Sequence, residues 1–279
     1  MTAGPGVIRV SEDWLALREP ADAAARARDL ASRLASRRPT TGRWMIHDLG
    51  GGTGAMGRWL APLLPGPQHW IVHDRDADLL AVAASDPTGP AADGAEVTVE
   101  ARQSDIIGLD PRDLTAASLI TASALLDMLT AHELAALVGV CAGPGCPILL
   151  ALTVVGRVDL APVDPLDRPL AAAFNTHQRR ETERGRLLGP DAIAFAVEAF
   201  QRRGAEVLVR DSPWRLGARH AELTAHWFSG WVAAAREQAP ALAANAADYS
   251  RRRLAQLATG GLEVTVSHAD LLVLPTSPR

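Results

Sequence analysis

Asp48 and Asp74 are the side chains whose type and spacing first suggest chemistry. Between them runs Gly50-Gly51-Gly52-Thr53-Gly54-Ala55-Met56-Gly57, with Asp48 two residues ahead of the first glycine and Asp74 22 positions after Gly52. Residues without a Cβ let a backbone turn sharply and lie against a flat ligand at contact distance. A carboxylate beside such a turn accepts hydrogen bonds from ribose hydroxyls. Glycine spacing alone is a weak signal, but glycines between two acids form a stronger one. The pattern predicts an adenosine-type ligand lying on Gly50, Gly51, Gly52 and Gly54 and held by Asp74, with Arg75 beside it.

Two strands must position these residues. Trp44-Met45-Ile46 reads as the end of a buried strand that delivers Asp48, and Arg58–Leu64 reads as a short amphipathic helix after the glycines. Trp70-Ile71-Val72-His73 is a second apolar strand and ends in Asp74. Together they make the opening βαβ unit of a nucleotide-binding sheet.

Nicotinamide-binding turns usually enter their glycines directly from apolar residues. Asp48-Leu49-Gly50-Gly51-Gly52-Thr53-Gly54 instead resembles motif I of the class I S-adenosylmethionine (SAM)-dependent methyltransferases. The resemblance covers roughly residues 40–215 and 262–275. It implies an α/β fold with a doubly wound, mostly parallel seven-stranded sheet, SAM as cofactor and S-adenosylhomocysteine (SAH) as product. It also implies that Asp105 accepts the adenine amino group, with Ile106 packed at the ring. Ser123 and Asp127, at the end of the fourth strand, would line the methyl-transfer site, the first toward cofactor and the second toward substrate. A helix ahead of motif I would lie over the pocket, with Trp14 and Arg18 as lid residues; plain packing and a surface ion pair are the competing reading of that pair. The Asn-Pro-Pro-Tyr and Pro-Cys motifs of nucleobase methyltransferases are missing, because the stretch reads Ser123-Ala124-Leu125-Leu126-Asp127. A small-molecule acceptor methylated on oxygen or nitrogen is therefore expected. An NAD(P)-dependent oxidoreductase and a non-catalytic SAM-binding protein stay open as alternatives.

Composition removes other classes. All 28 basic residues are arginine, which excludes Schiff-base chemistry, the P-loop lysine and the kinase phosphate-binding lysine. A net charge of −4 argues against nucleic acid, which demands a basic face. Cys141 and Cys146 lack zinc-site spacing and read as buried thiols, and the eight histidines show no ligand-like pairing, so no metal is expected. Without a leader-like segment or an apolar run of 18 residues, no membrane partner is expected and the protein is placed in the cytoplasm. Oligomeric state is left open.

Elsewhere, residues 11–38 read as one helix with Pro20 near an N-terminus, and Ala77–Ser85 as a helix broken by Asp86-Pro87-Thr88-Gly89-Pro90. Glu96–Ala101 and Ser118–Leu126 read as strands, His132–Ala142 as a helix, and Pro147–Val155 as a strand covered on both faces. From Val158 to Gly189 periodicity fails, and a long polar loop above the crevice is predicted. Its Phe174, Asn175, Gln178 and Arg179 are candidate substrate contacts, and His177 is the candidate base, imidazole being the commonest general base. A short surface helix with no ligand is the competing reading of this stretch. After a helix to Phe200 and a sixth strand at Ala205–Arg210, helices at His220–Gln238 and Leu242–Leu257 precede the last strand. The whole chain, 1–279, is thus one domain: an N-terminal helical cap (1–40), a core (41–216 and 262–275) and a helical insertion (217–260).

Overall fold

A computed structural model describes residues 10–37, 39, 42–86 and 88–275. Residues 1–9, 38 and 40 of the expected cap, and Pro87 of the expected turn, lie outside these.

The central sheet is built on β1 (Trp44–Leu49), β2 (Gln68–Asp74), β3 (Val97–Gln103), β4 (Leu119–Ser123) and β5 (Ile148–Ala161). These five run parallel in the spatial order β3-β2-β1-β4-β5. β10 (Glu263–Leu274) then pairs antiparallel with β5, and β8 (Glu206–Asp211) pairs antiparallel with β10. That is the expected doubly wound, mostly parallel sheet of seven strands. An eighth, β9 (Trp214–Leu216), pairs with the first half of β10, and a two-residue hairpin, β6 (Glu181–Thr182) with β7 (Gly185–Arg186), stands apart.

Helices cover both faces. On one, α2 (Arg28–Ala35) and α3 (Ala55–Leu60) bury Leu30, Leu34, Met56 and Trp59 against Trp44, Ile46 and Leu149. On the other, α5 (Ala131–Ala142) and α7 (Ala192–Gln201) bury Leu134, Leu137, Ala196 and Phe200 against Ile120, Ile148 and Leu271. α4 (Ala77–Ser85) has the expected bounds and packs Leu80 and Ala83 against Val72.

Three expectations are corrected. The helix expected over 11–38 is two helices, α1 (Glu12–Ala25) and α2. Arg26 is extended between them, and Ala27 gives its N–H to the buried Asp270 carboxylate at 2.8 Å. Pro20 lies inside α1, where both it and Ala16, whose carbonyl loses its helical donor, are exposed. The region expected as a loop is mostly regular. β5 runs on to Ala161, and α6 (Asp167–Gln178) follows.

β5 is buried throughout Ile148–Thr153, then alternates from Val154 onward, while β10 alternates first and is fully buried from His268. The paired strands thus pass from a sheet covered on both faces to an arm covered on one. The covered face carries a third core, where α6, α8 (Ala221–Gln238) and α9 (Ala243–Ala258) bury Leu170, Phe228, Trp231 and Tyr249 against Trp214 and Val264. Asp167 ties the layer together, accepting hydrogen bonds from Tyr249 Oη (2.7 Å) and from Arg253 (2.6 and 2.7 Å). The expected 217–260 insertion therefore shares a layer with α6, 40 residues earlier in the chain.

Candidate functional site

A cavity of about 630 Å³ opens at the carboxyl ends of the parallel strands, where a doubly wound sheet binds its ligands. Gly50–Gly52 reach it from β1, Asp74–Asp76 from β2, Ser104–Ile107 from β3, and Ser123–Leu125 with Asp127–Leu129 from β4. Leu152 and Val154 of β5, Val266 and His268 of β10, and α1 from Trp14 to Asp22 complete the walls.

The first half of the cavity is built by two acids and a glycine turn. Asp48 is completely buried. Its Oδ1 accepts a 2.6 Å hydrogen bond from Thr121 Oγ1, and its Oδ2 is sealed without a partner. Burial pushes its carboxyl up to about 7, against the opposing pull of the Thr121 hydrogen bond and the Arg26 charge. A Cβ on Gly51 would stand 2.5 Å from Asp48 Oδ2 and 2.7 Å from Val72 Cγ1. At Gly52 the constraint is conformational, since φ is +53°, a value side chains rarely adopt. Asp74 holds that turn, its Oδ2 accepting from Gly52 N and its Oδ1 from Asp76 N, both at 2.9 Å.

Arg26 carries the second charge. The break between α1 and α2 turns this side chain inward, where it is 3% exposed. It donates to Ser123 Oγ at 3.1 Å and to Ala55 O at 3.4 Å, and lies 5.4 Å from the Trp59 ring centroid. Its Nε has no partner. Burial lowers its pKa, while Asp22, Asp48 and Asp270 oppose the shift. Asp270 accepts from Ala27 N (2.8 Å), Leu152 N (2.8 Å) and Ser212 Oγ (2.5 Å), so one buried carboxylate fixes the helix break, β5 and the β8–β9 turn. Leu152 has φ +56° and Ala124 φ +52°. Both are cavity-lining residues without glycine's freedom, and such backbone outliers cluster at ligand sites.

The second half is aromatic. Trp14, Phe174, Trp214 and Trp227 line it with Val154 and Val266. Arg18 lies 5.0 Å from the Trp214 ring and makes a two-pronged contact with Asp22 (2.9 and 3.2 Å), which also accepts from Trp214 Nε1 at 2.9 Å. Asp127 lies in the same wall, and its carboxyl is raised by desolvation.

Of the residues singled out from sequence, Asp48, Gly50, Gly51, Gly52, Asp74, Arg75, Asp105, Ile106 and Ser123 line this cavity, as do Trp14, Arg18, Asp127 and Phe174. Asp105 uses Oδ1 to cap the turn at Ile107 N (3.0 Å). Gly54 caps α3 outside the cavity. Four of the expected contacts, on α6 and at its C-cap, are engaged with other elements. Asn175 donates to Gly156 O at 2.7 Å, Gln178 packs against Gly189, Arg179 pairs with Asp191 at 2.6 Å, and His177 faces Glu237 of α8 at 3.4 Å. None of the four lines the cavity; their helix presents Phe174 to it and turns these residues to neighbouring elements. Arg26, Asp22, Trp214 and His268 were missed. Trp214 and His268 lie far from motif I in sequence, and Asp22 and Arg26 lie inside an apparent helix with no local mark.

Topology and crevice together define a doubly wound methyltransferase-type fold. No family model and no curated protein matches the sequence. Among solved structures, the chain is similar to the YcgJ protein of Bacillus subtilis at 12% identity, covering 90% of this chain and 100% of that one, with a TM-score of 0.49. A mycolic acid cyclopropane synthase complexed with SAH aligns at 14% identity over 94% of each chain, TM-score 0.48. A SAM-dependent methyltransferase from Thiobacillus denitrificans, also with SAH, aligns at 12% identity over 96% and 100%, TM-score 0.47. Similarity at this level carries no activity to the present chain.

Among the described residues no helix is long and apolar enough to cross a membrane, and no cluster of His, Cys, Asp or Glu is arranged to hold a metal ion.

Proposed function

We propose that the protein binds SAM in this crevice and transfers its methyl group to oxygen or nitrogen of a small molecule. The observation that carries this reading is the pairing of Asp48 and Arg26. A carboxylate with an unpartnered oxygen and a guanidinium with an unpartnered nitrogen flank one glycine turn. Buried charges that lack partners are costly, and a ligand supplying the opposite charges relieves that cost. The zwitterionic tail of an amino acid supplies both: an ammonium for Asp48 and a carboxylate for Arg26. A Cβ on Gly51 would press on the unpartnered Asp48 oxygen, and Gly52 holds the turn at φ +53°. Asp74 and Asp105 stand where the sugar and base of the same ligand would reach, with lone pairs beyond those used on Gly52, Asp76 and Ile107.

When bound, the cofactor supplies an activated methyl on a positively charged sulfur, which leaves as a neutral thioether. The protein's part is to align the acceptor and exclude water. Trp14, Phe174, Trp214 and Trp227 provide the apolar walls for that task.

Calorimetric titration with SAH, SAM and adenosine tests the reading. SAH is expected to bind one to one. Arg26→Gln should lose at least tenfold in SAH affinity while adenosine affinity stays within a factor of two, because adenosine lacks the charged tail. NADH binding in place of SAH would overturn the assignment.

A further inference from the structure

Among the described residues, His268 is the one histidine that lines the cavity. It sits on β10, paired in register with Val154 of β5, where both strands pass from central sheet to arm. The strand slips register immediately before it, between Val266 and His268, an irregularity that re-aims a side chain. The ring is 4% exposed and its Nδ1 is buried without a hydrogen bond. The Trp214 ring lies 5.3 Å away. Burial and the charge of Arg18 push the imidazole down to about 3, with the backbone of Val266 and Ser212 pulling weakly the other way. The imidazole is therefore neutral at any working pH and retains a lone pair.

The surroundings restrict what can lie against it. Aromatic walls commonly accept cations, but here a guanidinium already occupies that role, 5.0 Å from Trp214 and 6.0 Å from Trp14. A second cation would find those ring faces taken. An apolar ring carrying one hydroxyl meets no such conflict: its body fits the apolar walls of Val154, Phe174 and Val266, and its hydroxyl finds an acceptor in the imidazole. Position agrees. β10 is two strands from β4, roughly 10 Å at ordinary strand spacing, so a ring of one or two fused cycles spans from His268 to Ser123 at the cofactor half.

Resting on the proposed SAM reading, we infer that the acceptor is a hydroxylated aromatic compound seated against the wall that Trp14 and Trp214 form with Phe174, with its hydroxyl directed to His268. The oxygen lone pair forms the new bond to the methyl carbon, and the pair of the broken carbon–sulfur bond stays on sulfur. The hydroxyl proton passes to His268 and then to water. A hydroxyl becomes strongly acidic as its oxygen is alkylated, so a weakly basic imidazole suffices to take the proton late in the transfer.

The test uses the full chain and three hydroxyarenes of increasing size: 4-nitrophenol, 2-naphthol and quercetin. SAH binding is established first by calorimetry, so that its failure marks the cofactor reading alone. Tryptophan fluorescence then follows each arene on the bare and the SAH-loaded protein, with tetramethylammonium as the cationic comparison. At least one arene should bind, and Trp14→Leu should weaken it tenfold or more while SAH affinity changes by less than twofold. With SAM present, the methyl ether of that arene should form, and His268→Gln should lower kcat by about 10²–10⁴-fold with KM changed by less than fivefold. Should the buried His268→Gln variant fail to fold, the Trp14→Leu result decides. The inference is overturned if SAH binds but no arene does, if tetramethylammonium binds instead, if Trp14→Leu binds arenes as wild type, or if a folded His268→Gln protein keeps its kcat.

Discussion

Asp48 illustrates how one side chain links pH, stability and binding. Its folded-state carboxyl titrates near 7, above the ordinary 3.8, so the folded chain keeps a proton that the unfolded chain has lost across that window. Stability without ligand is therefore expected to fall as pH rises from about 4 to 7, and the cost is fully present above 7. Asp48→Asn removes the buried charge, so its melting temperature should exceed that of wild type at pH 8 and approach it below pH 4. Binding should go the other way: SAH affinity of wild type weakens as pH drops below 7, by up to tenfold per unit, and the Asp48→Asn variant loses both affinity and pH dependence. A flat wild-type profile between pH 5.5 and 8 would show that Asp48 does not face the ligand's ammonium. Gly51 supplies a steric counterpart. Gly51→Ala forces a methyl to 2.5 Å from Asp48 Oδ2 and 2.7 Å from Val72, an overpacking that costs about 1–3 kcal/mol in chemical denaturation. It should abolish SAH binding even where the protein stays folded. At this scale the sequence was readable: Asp48 and the glycines stand next to one another along the chain, Asp74 ends the next strand, and their order carries their use.

Among the elements, the α1–α2 break shows where reading stops. Residues 11–38 carry helix formers throughout, and nothing local tells Ala27 to leave the helix. What draws its N–H away is Asp270, 243 positions later. The same carboxylate holds Leu152 at φ +56° and accepts from Ser212. Asp270→Ala would leave two backbone N–H groups and a hydroxyl without partners. The expected loss is about 2–5 kcal/mol in urea unfolding, with SAH affinity reduced because Arg26 is no longer held inward. A stable variant with normal affinity would mean that the break is set by α1 and α2 alone. α6 was hidden for a related reason. Pro162, Pro165 and Pro169 look like loop residues in sequence, yet Pro169 falls in the first turn of α6, where a missing N–H costs nothing. Its polar residues then read as ligand contacts when most are committed to Gly156, Asp191 and Glu237. Long-range partners decide both elements, and sequence patterns report short-range ones.

For the molecule as a whole, the doubly wound sheet was legible because β1, β2, β4 and β5 carry apolar runs and β3 alternates, while the division of helices among three cores was not. The arm formed by the end of β5 and the start of β10 has rungs from Glu263 opposite Ala161 to Val266 opposite Val158. Its uncovered face has no helix over it, unlike the six fully buried residues Ile148–Thr153 of the same strand. One strand therefore belongs to two parts of the molecule with different local opening free energies. Amide hydrogen exchange should divide β5 near Val154, with Val158 and Leu160 exchanging well before Leu149 and Leu150. SAH should slow exchange at Gly51, Gly52 and Asp76 and leave the arm unchanged; a hydroxyarene should slow the arm. A ligand-free molecule would then sample open forms in which the acceptor half breathes while the cofactor half stays closed, so that SAH can remain bound while the acceptor site is refilled.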